Sequence, residues 1–179
     1  HFHIPMQSGS DIVLGKMKRR YQTKLYRTKI EKIVSEVEDV CIGADVIVGF
    51  PGETNEEFDK TLNFIKDLPL SYLHVFTYSE RENTPAIDMD GVVSKSDRAD
   101  RSKQLRILSN KLQRAFYEKY LDTEHTALFE QENKEGYLFG FTDNYIKIKI
   151  PFQSTICRTK KQVKLIAIDD DGIMKAELL

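Results

Sequence analysis

Cysteine is the scarcest informative residue here: the 179-residue chain has two, Cys41 and Cys157. Two thiols exclude a disulfide scaffold and cannot by themselves ligate zinc or an iron–sulfur cluster. No stretch approaches the roughly 18 apolar residues needed to span a bilayer, which excludes an integral membrane protein. Nor is there an excess of charge of one sign, since 27 basic and 28 acidic residues leave a formal net charge of −1. That argues against a uniformly basic nucleic-acid coat while leaving local patches open. Internal repeats, low-complexity segments and the basic, apolar pattern of a signal peptide are also missing. The 40% hydrophobic content argues against wholesale disorder. A chain that opens His1-Phe2-His3 and first shows methionine at Met6 reads as part of a longer cytoplasmic protein.

What is there divides into two grammars. Through residue 120, short apolar runs alternate with helix-period segments: a short strand at His1–Met6, a helix capped by Ser10, and a second capped by Thr23 with Tyr26, Ile30 and Ile33 on one face. Ala44–Phe50 reads as a strand buried on both faces. Thr54 and Glu57 have capping-box spacing ahead of the stripe Phe58, Leu62, Ile65. Tyr72–Tyr78 is a further strand, Ser79–Gly91 a polar loop, and a long helix is expected from about Lys95 to Tyr120 with Leu105, Leu108, Leu112, Ala115 and Phe116 inward. Alternation of this kind predicts α/β structure with parallel strands, half of a (βα) barrel. Residues 121–179 instead predict five short strands separated by turn residues, a small all-β barrel of the OB-like kind.

Charge is segregated within the second segment. From Asn144 to Ile168 the basic residues Lys147, Lys149, Arg158, Lys160, Lys161 and Lys164 meet no acid. With Phe141, Tyr145 and Phe152 nearby, such a face suits a phosphate backbone and stacked bases, though lysines also guard exposed strands. Lys16–Lys32 and Lys95–Lys119 are basic as well, and solvated helix faces account for such charge equally simply.

The strings HIPMQSGSDIVLGKMKRRY (3–21), ADVIVGFPGET (44–54) and HVFTYSERENTPA (74–86) together resemble the methylthiotransferase family of radical S-adenosylmethionine (SAM) enzymes. GFTDNYIKI (140–148) is similar to the TRAM domain, a small RNA-binding β-barrel. The resemblance implies the C-terminal half of a radical SAM barrel over 1–120 and a TRAM barrel over 121–179. It implies SAM and [4Fe–4S] clusters as cofactors of the full-length protein. The family's CxxxCxxC cluster motif is not among these residues, so no metal ligand and no catalytic residue is assigned here, and the chain by itself is expected to be inactive.

Within that resemblance, Gln7 and Ser8 lie just past a strand end, where small neighbours allow close backbone approach and polar groups can bond a ligand. Ser10 is better read as a helix cap. Arg19 and Arg20 could hold the methionyl carboxylate of SAM, contact tRNA phosphate, or simply face solvent. Gly49, Phe50 and Pro51 are expected beside the SAM adenine. Tyr78 or Phe76 could pack on that ring, or belong to the core. Asp45 is either structural or substrate-facing. His74 reads as a satisfied core histidine, and His1 and His3 share a strand face without a third ligand to complete a metal site. The RNA-facing set is Phe141, Asn144, Tyr145, Lys147, Lys149, Arg158, Lys160 and Lys161. The implied reaction is methylthiolation at C2 of N6-threonylcarbamoyladenosine-37, with the isopentenyladenosine branch, a ribosomal-protein branch and a non-catalytic RNA-binding module as alternatives. The expected partner is the anticodon stem-loop of tRNA, with neither DNA nor membrane, and the chain is expected to be monomeric and cytoplasmic.

Overall fold

A computed structural model describes residues 1–179, the side chains of Glu132 and Asn133 excepted. The chain forms two compact units, Phe2–Lys111 and Leu112–Leu179, with His1 grouped in the second.

The first unit is α/β. Strand β1 (Phe2–His3), helices α1 (Asp11–Lys16) and α2 (Thr23–Glu36), β2 (Ile42–Val48), α3 (Asn55–Lys66), β3 (Tyr72–Thr77) and the start of α4 (Lys95–Glu118) follow in order. The strands make one parallel sheet in the order β1-β2-β3, as right-handed strand–helix–strand alternation requires. Ser10 caps α1, its hydroxyl accepting from the Val13 amide at 3.2 Å. Thr23 does not cap α2: it is the first helical residue, and the Asp11 carboxylate accepts its N–H at 2.7 Å. Thr54 caps α3 by accepting from the Glu57 amide. Glu57 leaves the other half of that capping box unmade, because its carboxylate takes the Ser10 hydroxyl and Lys60 instead.

Alternation along β2 sets which face is covered. Ala44, Val46 and Val48 are fully buried with Val13, Leu14, Ile30, Ile65 and Leu105 as the core, whereas Asp45 and Ile47 are only half-buried. Phe76 on β3 is 52% exposed. The sheet is therefore covered on one face, not two. Its other face carries Asp45, Ile47, Tyr72, His74 and Phe76. Helix α4 also departs from expectation. Ala115 is exposed, and Arg98 and Arg101 are buried among residues expected to be solvated.

The second unit is a closed barrel of β4 (Glu124–Lys134), β5 (Tyr137–Thr142), β6 (Lys147–Pro151), β7 (Lys160–Ile168) and β8 (Met174–Leu178), ordered β4-β5-β6-β8-β7. All five expected strands are present. Antiparallel neighbours predominate, and β8 pairs with β6 in parallel, which closes the ring. Ala127, Phe129, Leu138, Ile146, Ile148, Ile150, Val163, Leu165 and Met174 fill it. Among the described residues, no helix is long and apolar enough to cross a membrane.

Candidate functional site

The C-terminal ends of β2 and β3 open onto a cavity of about 630 Å³, a size ordinary for a small-molecule site. Parallel sheets gather their loops at that edge, so three sequence motifs that are far apart in the chain meet there. Its lining includes Lys16, Lys18 and Arg19 from the end of α1, Phe50 after β2, and Tyr78, Ser79 and Arg81 after β3. Three expected ligand residues, Arg19, Phe50 and Tyr78, therefore converge. Arg19 donates to the Gln7 side chain at 3.0 Å, and the Phe50 and Tyr78 rings meet edge to face at 5.3 Å. The Tyr78 hydroxyl is buried and finds no hydrogen-bond partner among the described residues. An incoming polar ligand could supply one.

Backbone strain sits at the same place. Gln7 has φ +68°, unusual for a residue with a Cβ. It is held there by a parallel bridge to Val46 and by its own amide donating to the Asp45 carbonyl. Strain of this kind persists where surrounding bonds fix it, often at ligand sites. Gly49 follows β2 at φ +77°, and a Cβ there would lie 2.3 Å from Arg98 Cγ. Glycine thus lets Arg98 cross beneath the loop.

Two buried arginines of α4 brace the loops beside the cavity, and sequence patterning does not pick them out. Arg98 donates to the carbonyls of Val93 and Tyr78 and to Glu80, and lies over the Tyr78 ring at 5.3 Å. Arg101 donates to the Glu53 carboxylate at 2.8 Å, to the Glu53 carbonyl, and to Asn55. Glu53 in turn accepts the Gly49 amide at 2.6 Å. Burial pushes the Glu53 carboxyl above its usual range, against the opposing pull of the Gly49 amide and Arg101. The only hint in the sequence is an arginine at i and i+3, at positions 98 and 101, which any solvated helix face can show.

Other expected ligand residues go elsewhere. The Ser8 hydroxyl is fully buried against Thr61 and accepts the Ser10 amide, so it braces the loop and is not part of the cavity lining. Arg20 lines a separate shallow depression with Tyr21, Gln22 and Lys24. Pro51 is buried in the turn and does not line the cavity. Neither cysteine suits a cluster. Cys41 is buried, its thiol pushed up by that burial despite a bond with Ser71, and Cys157 belongs to the other unit.

The barrel carries a second candidate surface. Cross-strand register places Phe141 opposite Lys147 and Phe139 opposite Lys149. Tyr145, at φ +69°, turns its ring onto Phe141 with centroids 4.8 Å apart and planes 20° from parallel. Lys147 lies over the Phe139 ring at 5.4 Å. Asn144 is buried instead of presented: its side-chain oxygen accepts the Thr142 hydroxyl at 2.6 Å, fixing the turn that aims Tyr145. Lys149 is buried too, ion-paired with Asp169 and close to Asp171. That pairing holds the lysine above its usual range. Burial pushes Asp169 up, but bonds from Lys149 and the Ile173 amide leave it below its usual range. Arg158, Lys160 and Lys161 are exposed near β4 and β7, with Arg158 donating to Gln131. The basic residues that are contiguous in sequence thus fall into separate groups, because β8 stands between β6 and β7.

No protein-family model matches the chain. Curated relatives do. It is 40% identical over 152 residues to the threonylcarbamoyladenosine tRNA methylthiotransferase MtaB of Bacillus subtilis, a match covering 83% of this chain and 34% of that protein. It is 37% identical over all 179 residues to the protein of the same name in Rickettsia prowazekii, 41% of whose length it covers. It is 38% identical to the tRNA-2-methylthio-N(6)-dimethylallyladenosine synthase of Symbiobacterium thermophilum over 84% of this chain and 32% of that protein. The chain thus spans 32–41% of the length of these relatives.

Proposed function

Because this chain belongs to the tRNA methylthiotransferase family, we propose that it is the SAM-gripping and RNA-binding part of an enzyme that methylthiolates C2 of N6-threonylcarbamoyladenosine-37 in tRNA. The first unit is then the C-terminal half of a radical SAM barrel and the second a TRAM-type RNA-binding barrel. The observation that carries the reading is the convergence of Arg19, held by Gln7, with Phe50 and Tyr78 on one cavity at the strand ends.

The residues suit SAM chemically. Phe50 and Tyr78 offer an apolar wall for an adenine ring, and the Tyr78 hydroxyl is available to a ring or ribose atom. Arg19, oriented by Gln7, carries the charge that a methionyl carboxylate needs, in a fork suited to two-oxygen recognition. Arg98 and Arg101 keep the Phe50 and Tyr78 loops at fixed separation. When bound, SAM supplies the methyl group and the radical source for the reaction. A cluster does not fit the two cysteines of this chain, so its ligands belong to another region of the parent, and this chain alone is inactive.

S-adenosylhomocysteine serves as a cluster-independent probe of the cavity. Calorimetric titration of the chain should show one site, weakened at least about tenfold, or 1.4 kcal/mol, by Arg19→Ala or by Phe50→Ala. Binding unaffected by both substitutions would remove SAM from this cavity. The substrate is tested separately, by nucleoside mass spectrometry of tRNA after deletion of the parent gene. Loss of the methylthio-threonylcarbamoyl nucleoside supports this reading, and loss of the dimethylallyl one transfers the enzyme to the other branch.

A further inference from the structure

The open face of the parallel sheet holds a side-chain cluster that the cavity does not use. His3 on β1, Asp45 on β2 and His74 on β3 each bring one potential ligand atom into a space where all lie within 4.8 Å of one another. The register explains the meeting. Asp45 and His74 are direct cross-strand partners, and His3 stands opposite Gly43, two residues from Asp45 and so on the same face. His3 Nε2 lies 2.7 Å from Asp45 Oδ1, and His74 Nδ1 lies 3.4 Å from that same oxygen. His74 is exposed here, not a satisfied core histidine.

We propose that His3, Asp45 and His74 form a binding site for a divalent transition ion of the zinc class. Two imidazole nitrogens and one carboxylate oxygen are a common three-protein-ligand set for zinc, with a fourth position left for water. Ligand bonds of about 2.0–2.1 Å in a tetrahedron put ligand atoms about 3.3 Å apart. The Asp45–His74 separation is already close to that value, and a modest rotation of the exposed His74 ring closes the remaining edge. Nitrogen-rich donors favour zinc or cobalt over calcium or magnesium, which demand more oxygens.

The surroundings of His3 are those of a metal ligand. Its other nitrogen, Nδ1, lies 3.3 Å from the Tyr72 hydroxyl, the outer partner that fixes ring orientation and tautomer in histidine–metal sites. Gly43 makes that partner possible: a Cβ at Gly43 would stand 2.3 Å from Tyr72 Cζ, so only glycine lets the Tyr72 ring cross β2 to reach His3. On binding, the ion takes the place of the proton between His3 Nε2 and Asp45. That proton moves to Nδ1, facing Tyr72, or leaves to solvent.

Titration of the 179-residue chain with Zn²⁺ by calorimetry, and with Co²⁺ by visible absorption, should show one ion per chain with the intensified bands of a four-coordinate site. His74→Gln, an exposed substitution that retains a hydrogen-bonding group beside Asp45, should abolish it, as should Asp45→Ala. Tyr72→Phe should weaken it about 10–100-fold. His1→Ala should leave it intact. Absence of stoichiometric binding, survival in His74→Gln, or loss in His1→Ala would overturn the proposal, the last by assigning the ion to the chain's amino terminus. None of these readouts depends on SAM or RNA binding.

Discussion

Arg101 is the side chain whose removal should cost the first unit most. Its guanidinium donates to one oxygen of the fully buried Glu53 carboxylate, to the Glu53 carbonyl and to Asn55. Removing one partner of a buried ion pair strands the other charge, at a typical cost of about 3–5 kcal/mol. Arg101→Met should therefore lower the unfolding free energy of the chain by that amount in urea titrations. Adding Glu53→Gln should restore part of it, because the stranded group is then neutral. A drop below about 1 kcal/mol would mean that solvent reaches Glu53. This residue shows why part of the site is hidden in the sequence. Helix α4 alternates basic and apolar residues as any amphipathic helix does, and nothing local separates Arg101 from the solvated Lys103. Burial is decided by what the Pro51-Gly52-Glu53 turn needs, 48 residues before Arg101 at Glu53. Arg19, Phe50 and Tyr78 are easier to pick out as candidates, because their motifs flank strand ends, where parallel sheets gather their loops. Ser8 is ambiguous in the sequence, because a hydroxyl suits a ligand and a neighbouring helix equally well; in the fold it packs against Thr61.

At the scale of elements, periodicity suffices wherever one face has to be apolar. The three parallel strands, the helices between them and the five barrel strands all follow from it. Caps are harder to read because more than one oxygen competes for each helix start, as when Asp11 displaces Thr23 at α2. The same competition makes a test. Thr54 serves α3 alone, so Thr54→Ala should cost about 1 kcal/mol, an ordinary capping penalty. Ser10 caps α1 and also donates to the buried Glu57 carboxylate. Ser10→Ala should cost more than that, since a hydrogen bond to a charged acceptor adds about 1.5–3 kcal/mol. Parallel denaturation curves should rank Ser10→Ala well below Thr54→Ala in stability, and equal penalties would show that Glu57 finds another donor. Strand order is the part periodicity does not reach. The parallel β6–β8 pairing sets Ile148 beside Met174, far along the chain, and only closure of the ring selects it.

For the whole molecule, a net charge of −1 conceals where RNA would bind, and the barrel sorts the candidate residues by exposure and pairing. Lys149 is already matched by Asp169, and Asn144 shapes a turn, so neither has much left for RNA. Phe141, Tyr145 and Lys147 form one stacked, cationic surface, while Lys160 and Lys161 stand on β7, across β8. Bases stack on aromatic rings for about 1–3 kcal/mol each, whereas neutralised phosphates add a salt-dependent term. The two groups should therefore fail differently in anisotropy titrations of the full chain with an anticodon stem-loop. Tyr145→Ala with Phe141→Ala should reduce affinity by about 2 kcal/mol with little change in salt slope. Lys160→Glu with Lys161→Glu should flatten the log–log slope by about 0.7–0.9 for each phosphate that these lysines no longer neutralise. Lys149→Gln should change RNA affinity least and barrel stability most, because its charge is spent on Asp169. A large fall in affinity in Lys149→Gln with stability intact would mean that RNA displaces Asp169 from that lysine, and the binding face would then centre on β6 and the β7–β8 turn.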